Sequence, residues 1–237
     1  MTRAARCPGT TRLGHSADPS RVVLCRTDRR RALSGPASRR AVAAMSVLAI
    51  DTASRHRLVV LRAGRDGELV AARIAGGGAA LPWLDRSLFE LGVSGLDAVV
   101  VVTGPGSYTG LRAGIAVGLG VAHTLGLPLH GVSSLEVVAR SAPDGETETL
   151  ALVEAGRGGA YAGRFLRRAG ILEMRGEAHR VSLASVALGE PLPVTLDALD
   201  LPGVRPGDPV RALAAAIPAA LARPPLALAG LAATYLD

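Results

Sequence analysis

From residue 45 onward the apolar positions switch between two periods. Residues 47–50 form a short apolar run ending at Asp51-Thr52, and runs at 58–61 and 69–74 flank the turn signal Arg65-Asp66-Gly67. This predicts an opening meander of three strands. After the break Gly76-Gly77-Gly78, the leucines at 81, 84, 88 and 91 recur at helical spacing, with Gly92 as a stop. That stripe is expected to face the core. Residues 97–102 hold four consecutive valines, the pattern of a strand buried on both faces. The loop Gly104-Pro105-Gly106-Ser107-Tyr108-Thr109-Gly110 then leads into a helix over about residues 111–124, ended by Gly126 and Pro128. A short strand ends near Val132, and Ser133 with Glu136 has the form of a capping box for a further helix. Beyond the turn Pro143-Asp144-Gly145, strands are expected at 150–153, 161–166 and 171–179. From about residue 185 the chain is rich in Pro and Ala, with one helix expected over 210–221 and broken at Pro218. The order βββαβα followed by strands predicts an α/β protein of two lobes, residues 45–145 and a smaller, degenerate lobe at 146–237.

Composition changes the picture mainly at the amino end. The net charge of +7 is not evenly spread: residues 1–44 carry ten arginines against Asp18 and Asp28, and residues 45–237 carry 17 arginines against 18 acids. The first segment is therefore about +8 and the body about −1. Its Ser/Gly/Pro-rich, aperiodic make-up reads as a disordered basic extension. It fits a nucleic-acid-binding arm, an organelle presequence or a non-native start, the last being the expectation because Met45 directly precedes the first strand. The chain contains no lysine, which excludes P-loop NTPase, Schiff-base and Ser-Lys chemistry. Cys7 and Cys25 both lie in the basic segment, so the body has no thiol for a disulfide, a thiolate metal site or a cysteine nucleophile. No apolar run reaches membrane-spanning length without Gly, Pro or charge.

The candidate chemistry concentrates between residues 99 and 120. A buried strand, a glycine-rich turn and a helix N-terminus bring backbone N–H groups together, and Ser107 and Thr109 add hydroxyls. Gly104 and Gly106 would allow close approach of a phosphate, and Arg112 stands one turn into the helix. The alternative is a plain strand-to-helix turn with Ser107 or Thr109 as N-cap. Gly110, Gly114 and Gly118 fall four apart inside the helix, each costing about 1 kcal/mol relative to alanine. Something must pack against that bare backbone, either the sheet of its own lobe or a partner helix. In the preceding helix, Trp83 and Phe89 lie about 120° to either side of the leucine stripe and are candidates for partner contact.

The segment from Gly104 to Gly114 closely resembles the GPGSFTGLRIG signature of the TsaB (YeaZ) family. Residues 48–53, LAIDTA, match the family's opening. Residues 153–161 resemble its IDAR-x-G-x-x-Y segment, with Glu154 and Gly156 where Asp and Arg are usual. The resemblance spans about residues 45–180. It implies an actin-like (ASKHA, ribonuclease H-like) fold and a cytoplasmic subunit that pairs with the catalytic subunit TsaD, assisted by the ATPase TsaE. That complex threonylcarbamoylates the adenosine beside the anticodon of tRNAs reading ANN codons. It further implies partner contacts through Trp83, Phe89, Gly110, Arg112, Gly114 and Gly118, homodimerisation when alone, and ATP or ADP at the subunit interface.

Two rival activities are weighed against the residues. An autonomous actin-like phosphotransferase would use Asp51 with Gly104, Gly106, Ser107 and Thr109 to hold nucleotide phosphates, but the hairpin Asp51-Thr52-Ala53-Ser54 lacks the glycine such hairpins use. Asp51 is read first as an Asx-type turn or strand-end cap, with a nucleotide contact as the alternative. A metallopeptidase would need two histidines one helical turn apart, and His15, His56, His123, His130 and His179 offer no such pair. No catalytic residue and no metal site are expected; His123 is read as a partner of the helix dipole, and Glu154 and Arg157 as a charged strand end and loop.

Overall fold

The computed structural model describes residues 20–23, 45–143, 148–186, 191 and 193–227. The expected features at the remaining positions, including most of the basic segment and the Asp144-Gly145 turn, lie outside the described residues. In chain order the elements are β1 (Ser20–Val23), β2 (Ser46–Asp51), β3 (Arg57–Gly64), β4 (Leu69–Gly76), α1 (Ala80–Leu91), β5 (Ala98–Gly104), α2 (Tyr108–Leu125), β6 (Leu129–Ser133), α3 (Ser134–Ala139), β7 (Glu148–Gly156), β8 (Gly159–Arg168), β9 (Ile171–Ser182), β10 (Pro193–Thr195), β11 (Arg205–Pro206) and α4 (Pro209–Leu221).

The strands form two mixed sheets, ordered β1-β4-β3-β2-β5-β6 and β11-β10-β7-β8-β9. β2 sits centrally in the first, antiparallel to β3 and parallel to β5, with Ile50 opposite Val101. The pleat sorts neighbouring residues to opposite faces. Val47, Ala49, Val100 and Val102 point into one core together with Leu213 and Ile217 of α4. Leu48, Ile50, Val99 and Val101 point into the other, covered by α1 and α2. This two-sided burial is why the sequence shows continuous valines rather than alternation.

Four details differ from expectation. The segment Ser20–Val23, expected to be disordered, pairs antiparallel with β4 at the sheet edge. Helix α4, assigned from sequence to the second lobe, instead packs on the first sheet. It also runs through Pro218 rather than breaking there. Proline removes the N–H that would bond the carbonyl of Ala214, and the turn residue Gly67, at φ +84°, lies close enough to that carbonyl that a Cβ would overlap it. Pro218 itself is exposed, so its ring meets solvent. Finally, Ser133 does cap α3, its hydroxyl accepting from the Leu135 N–H at 3.2 Å, but Glu136 does not close a capping box. Its buried carboxylate instead accepts from Arg140 at 2.9 Å and Arg223 at 2.6 Å, tying the chain after α4 to α3.

Candidate functional site

The glycine-rich loop connects the end of β5 to α2 and lies against the end of β2. The Ser107 N–H donates to the Ala53 carbonyl at 2.7 Å, and the Ser107 hydroxyl accepts from the Gly110 N–H at 3.4 Å as the N-cap of α2. The buried Thr52 hydroxyl donates to the Gly110 carbonyl at 2.7 Å. A Cβ on Gly106 would overlap the Ala53 carbonyl, so the glycine serves the docking of loop on strand. Ser107, expected as a phosphate ligand, thus caps α2 through its hydroxyl oxygen, while Thr109 is exposed at the start of α2. Gly104, at φ +113°, turns the chain out of the sheet.

Asp51 is held in the same way by the protein itself. One carboxylate oxygen accepts from the Ala53 N–H at 2.9 Å, completing an Asx turn, and the other accepts from Arg57 at 3.0 Å. Arg57 reaches onward to the second sheet, donating to the Asp197 carboxylate at 2.7 Å and the Leu196 carbonyl at 2.8 Å. Both acids are buried. Just outside them, His56 Nε2 lies 2.7 Å from Glu154. Asp51, expected at a nucleotide phosphate, here faces the Arg57 guanidinium and its own Asx turn. Neither Arg57 nor Asp197 was singled out from sequence; they are 140 positions apart and only the fold brings them together.

At the carboxyl ends of β5 and β6 a cavity of about 390 Å³ opens between the first sheet and β9 of the second. Gly104, Pro105, Ser133 and Leu135 line one side, and Met174, Glu177 and Ala178 of β9 the other. Among the described residues no group of three or more His, Cys, Asp or Glu side chains converges as a metal site.

The helices divide their faces sharply. Gly110, Gly114 and Gly118 are buried against their own sheet: a Cβ at these positions would overlap the Thr52 carbonyl, the Thr52 hydroxyl and the Val101 side chain respectively. They therefore do not form the partner surface expected of them, because their bare backbone is what lets α2 seat on β2 and β5. In α1 the core-facing positions include Leu84 and Ser87, whose hydroxyl donates to the Trp83 carbonyl at 2.7 Å. Trp83 is half-buried against the same core rather than free for a partner. Leu81 is 57% exposed, so the leucine stripe does not face inward along its whole length. Phe89 is 88% exposed, and Tyr108 at the start of α2 is 56% exposed. Arg112 folds back over the Tyr108 ring, its guanidinium carbon 5.0 Å from the ring centre. His123 lies exposed in the last turn of α2.

Helix α1 is fixed to its sheet by charge as well as packing. The buried Arg73 of β4 pairs with Glu90, which also accepts from Arg86 at 2.9 Å. Burial first, and then the positive charge of Arg86, lower the Arg73 pKa from its ordinary value, and Glu90 supplies the counter-charge.

Two mixed sheets, the first covered by α1, α2 and α4 and the second by α3, make this an α/β chain of two lobes. The chain belongs to the family described as TsaD, tRNA N6-adenosine threonylcarbamoyltransferase, whose model matches residues 78–203. It is 38% identical over 135 residues to an uncharacterized protein of Mycobacterium tuberculosis, covering 51% of this chain and 59% of that protein. It is 34% identical over 137 residues to the tRNA threonylcarbamoyladenosine biosynthesis protein TsaB of Escherichia coli, covering 52% of this chain and 56% of that protein. The chain thus spans little more than half the length of these relatives. YeaZ from Pseudomonas aeruginosa superposes with a TM-score of 0.63 at 20% identity, covering 81% of this chain and 100% of that one, which establishes the shared fold. Among the described residues no helix is long and apolar enough to cross a membrane.

Proposed function

We propose that this chain is a non-catalytic subunit of the tRNA threonylcarbamoyladenosine machinery that acts by binding and activating TsaD in the cytoplasm. The observation that carries this reading is the engagement of Asp51 by Arg57. The carboxylate that would have to meet a metal–nucleotide complex already holds a cation in a buried charge-assisted pair. An autonomous phosphotransferase would have to break that pair on each cycle. The exposed apolar side chains of Leu81, Phe89 and Tyr108 support a partner-binding role, since aromatic residues left in solvent on a helix pair are the usual anchors of an interface. The same face would serve a homodimer when the chain is alone. TsaE and tRNA join through the complex, and any ATP or ADP sits at the subunit interface rather than in the cleft between the two sheets.

The test is co-purification with the cognate TsaD, followed by a tRNA threonylcarbamoylation assay with and without this chain. The expected outcome is a stable heterodimer and modification only when both are present. Modification at full rate without this chain, or tight magnesium-nucleotide binding by the chain alone, would overturn the assignment.

A further inference from the structure

We propose that Arg57 is a built-in cation that locks the two sheets in one relative orientation. The inference goes beyond the assigned role, because it concerns how the molecule is held whatever partner it meets. Arg57 lies at the first position of β3, and its side chain crosses the cleft. One guanidinium nitrogen donates to Asp51 at the end of β2 in the first sheet; the other donates to Asp197 and the Leu196 carbonyl, just beyond β10 in the second. Each acid has its other oxygen fixed by a backbone N–H of its own sheet, Ala53 at 2.9 Å and Glu154 at 3.0 Å. The Asp197 N–H in turn donates to the Thr195 hydroxyl at 3.0 Å.

Both carboxylates are thereby oriented before the arginine arrives. A planar fork fits two oriented acids on opposite sides; an ammonium, a point charge with freely rotating donors, does not. The site is buried, with Asp51 2% and Asp197 9% exposed, so removing the guanidinium would leave two buried carboxylates without their counter-charge. Arg57 is a positioning residue. Arg57 thus ties the end of β2 directly to the segment after β10, and the chain meets its partner as a rigid body.

Hydrogen exchange on the full chain tests the lock, because the two acids report from opposite sheets through the Ala53 and Glu154 amides. In Arg57→Met, which keeps the apolar stem and loses the fork, both amides should exchange at least about tenfold faster while the Val100 amide at the centre of the first sheet is unchanged. Arg57→Lys should not restore protection at both. Acceleration at Ala53 alone, or at neither amide, would overturn the proposal. If Arg57→Met does not fold, the isosteric Asp197→Asn decides the matter. Faster exchange at Ala53, across the cleft from the substitution, supports the lock, and an unchanged Ala53 amide refutes it.

Discussion

Gly118 and Gly120 stand two residues apart in α2, and replacing them should move stability in opposite directions. At Gly118 a side chain would enter the space of Val101 in a close-packed interface, so Gly118→Leu should destabilise by about 1–3 kcal/mol. At Gly120 a Cβ meets nothing within 4 Å, so Gly120→Ala should stabilise by about 0.5–1 kcal/mol through helix propensity alone. Denaturant midpoints on the isolated chain read both. An unchanged midpoint for Gly118→Leu would show that this face of α2 is free after all. The spacing of the glycines put them on one face of one helix, and that much could be read from the sequence. What lies against that face could not, because period says nothing of the neighbour. Gly114→Leu, whose side chain would enter the space of the Thr52 hydroxyl, should likewise destabilise the free chain rather than act only on complex formation. Arg57 was silent for a related reason: an arginine at a strand end gives no sign of an acid 140 residues away.

At the scale of elements, α1 shows how the inward face was misplaced by part of a turn. The leucines mark one stripe, yet the positions against the core are Ala80, Trp83, Leu84, Ser87, Leu88 and Leu91, which themselves keep the helical repeat. Ala80 and Ser87 carry that face without announcing it: one is small, and the other hides its hydroxyl on the Trp83 carbonyl. Leu81 and Phe89 are left on the outward side. Since Phe89 is 88% exposed, Phe89→Ala should change the stability of the free chain by no more than about 0.5 kcal/mol. If α1 is an anchor for TsaD, the same substitution should weaken the heterodimer at least about tenfold in a binding titration. An unaltered affinity would move the interface elsewhere on the molecule. The short strands β10 and β11, of three and two residues, were missed because so few residues carry no period.

For the whole molecule, the division into two lobes was legible from the order of elements, but the return of α4 to the first sheet was not. Its apolar face reads the same whichever sheet it covers, and only the packing of Leu213 and Ile217 against Val47 and Val100 settles the matter. The distribution of charge leads to the last prediction. Residues 1–44 hold ten of the 27 arginines, and the body from residue 45 is close to neutral. Any sequence-independent grip on RNA phosphates should therefore come from the leading segment, through release of condensed counterions. The full chain should bind tRNA with an affinity that falls steeply as salt is raised, and a chain beginning at Met45 should lose most of both the affinity and the slope. Threonylcarbamoylation in the presence of TsaD should survive that truncation, because the cleft, the glycine loop and the α1–α2 face all lie within residues 45–227. The truncation removes one edge strand, β1, which among the described residues pairs with β4 alone, so the sheet keeps its central strands. Equal salt slopes for the two chains would place the RNA contact on the body. A truncated chain that folds but no longer supports modification would make the arginine-rich segment part of the working protein.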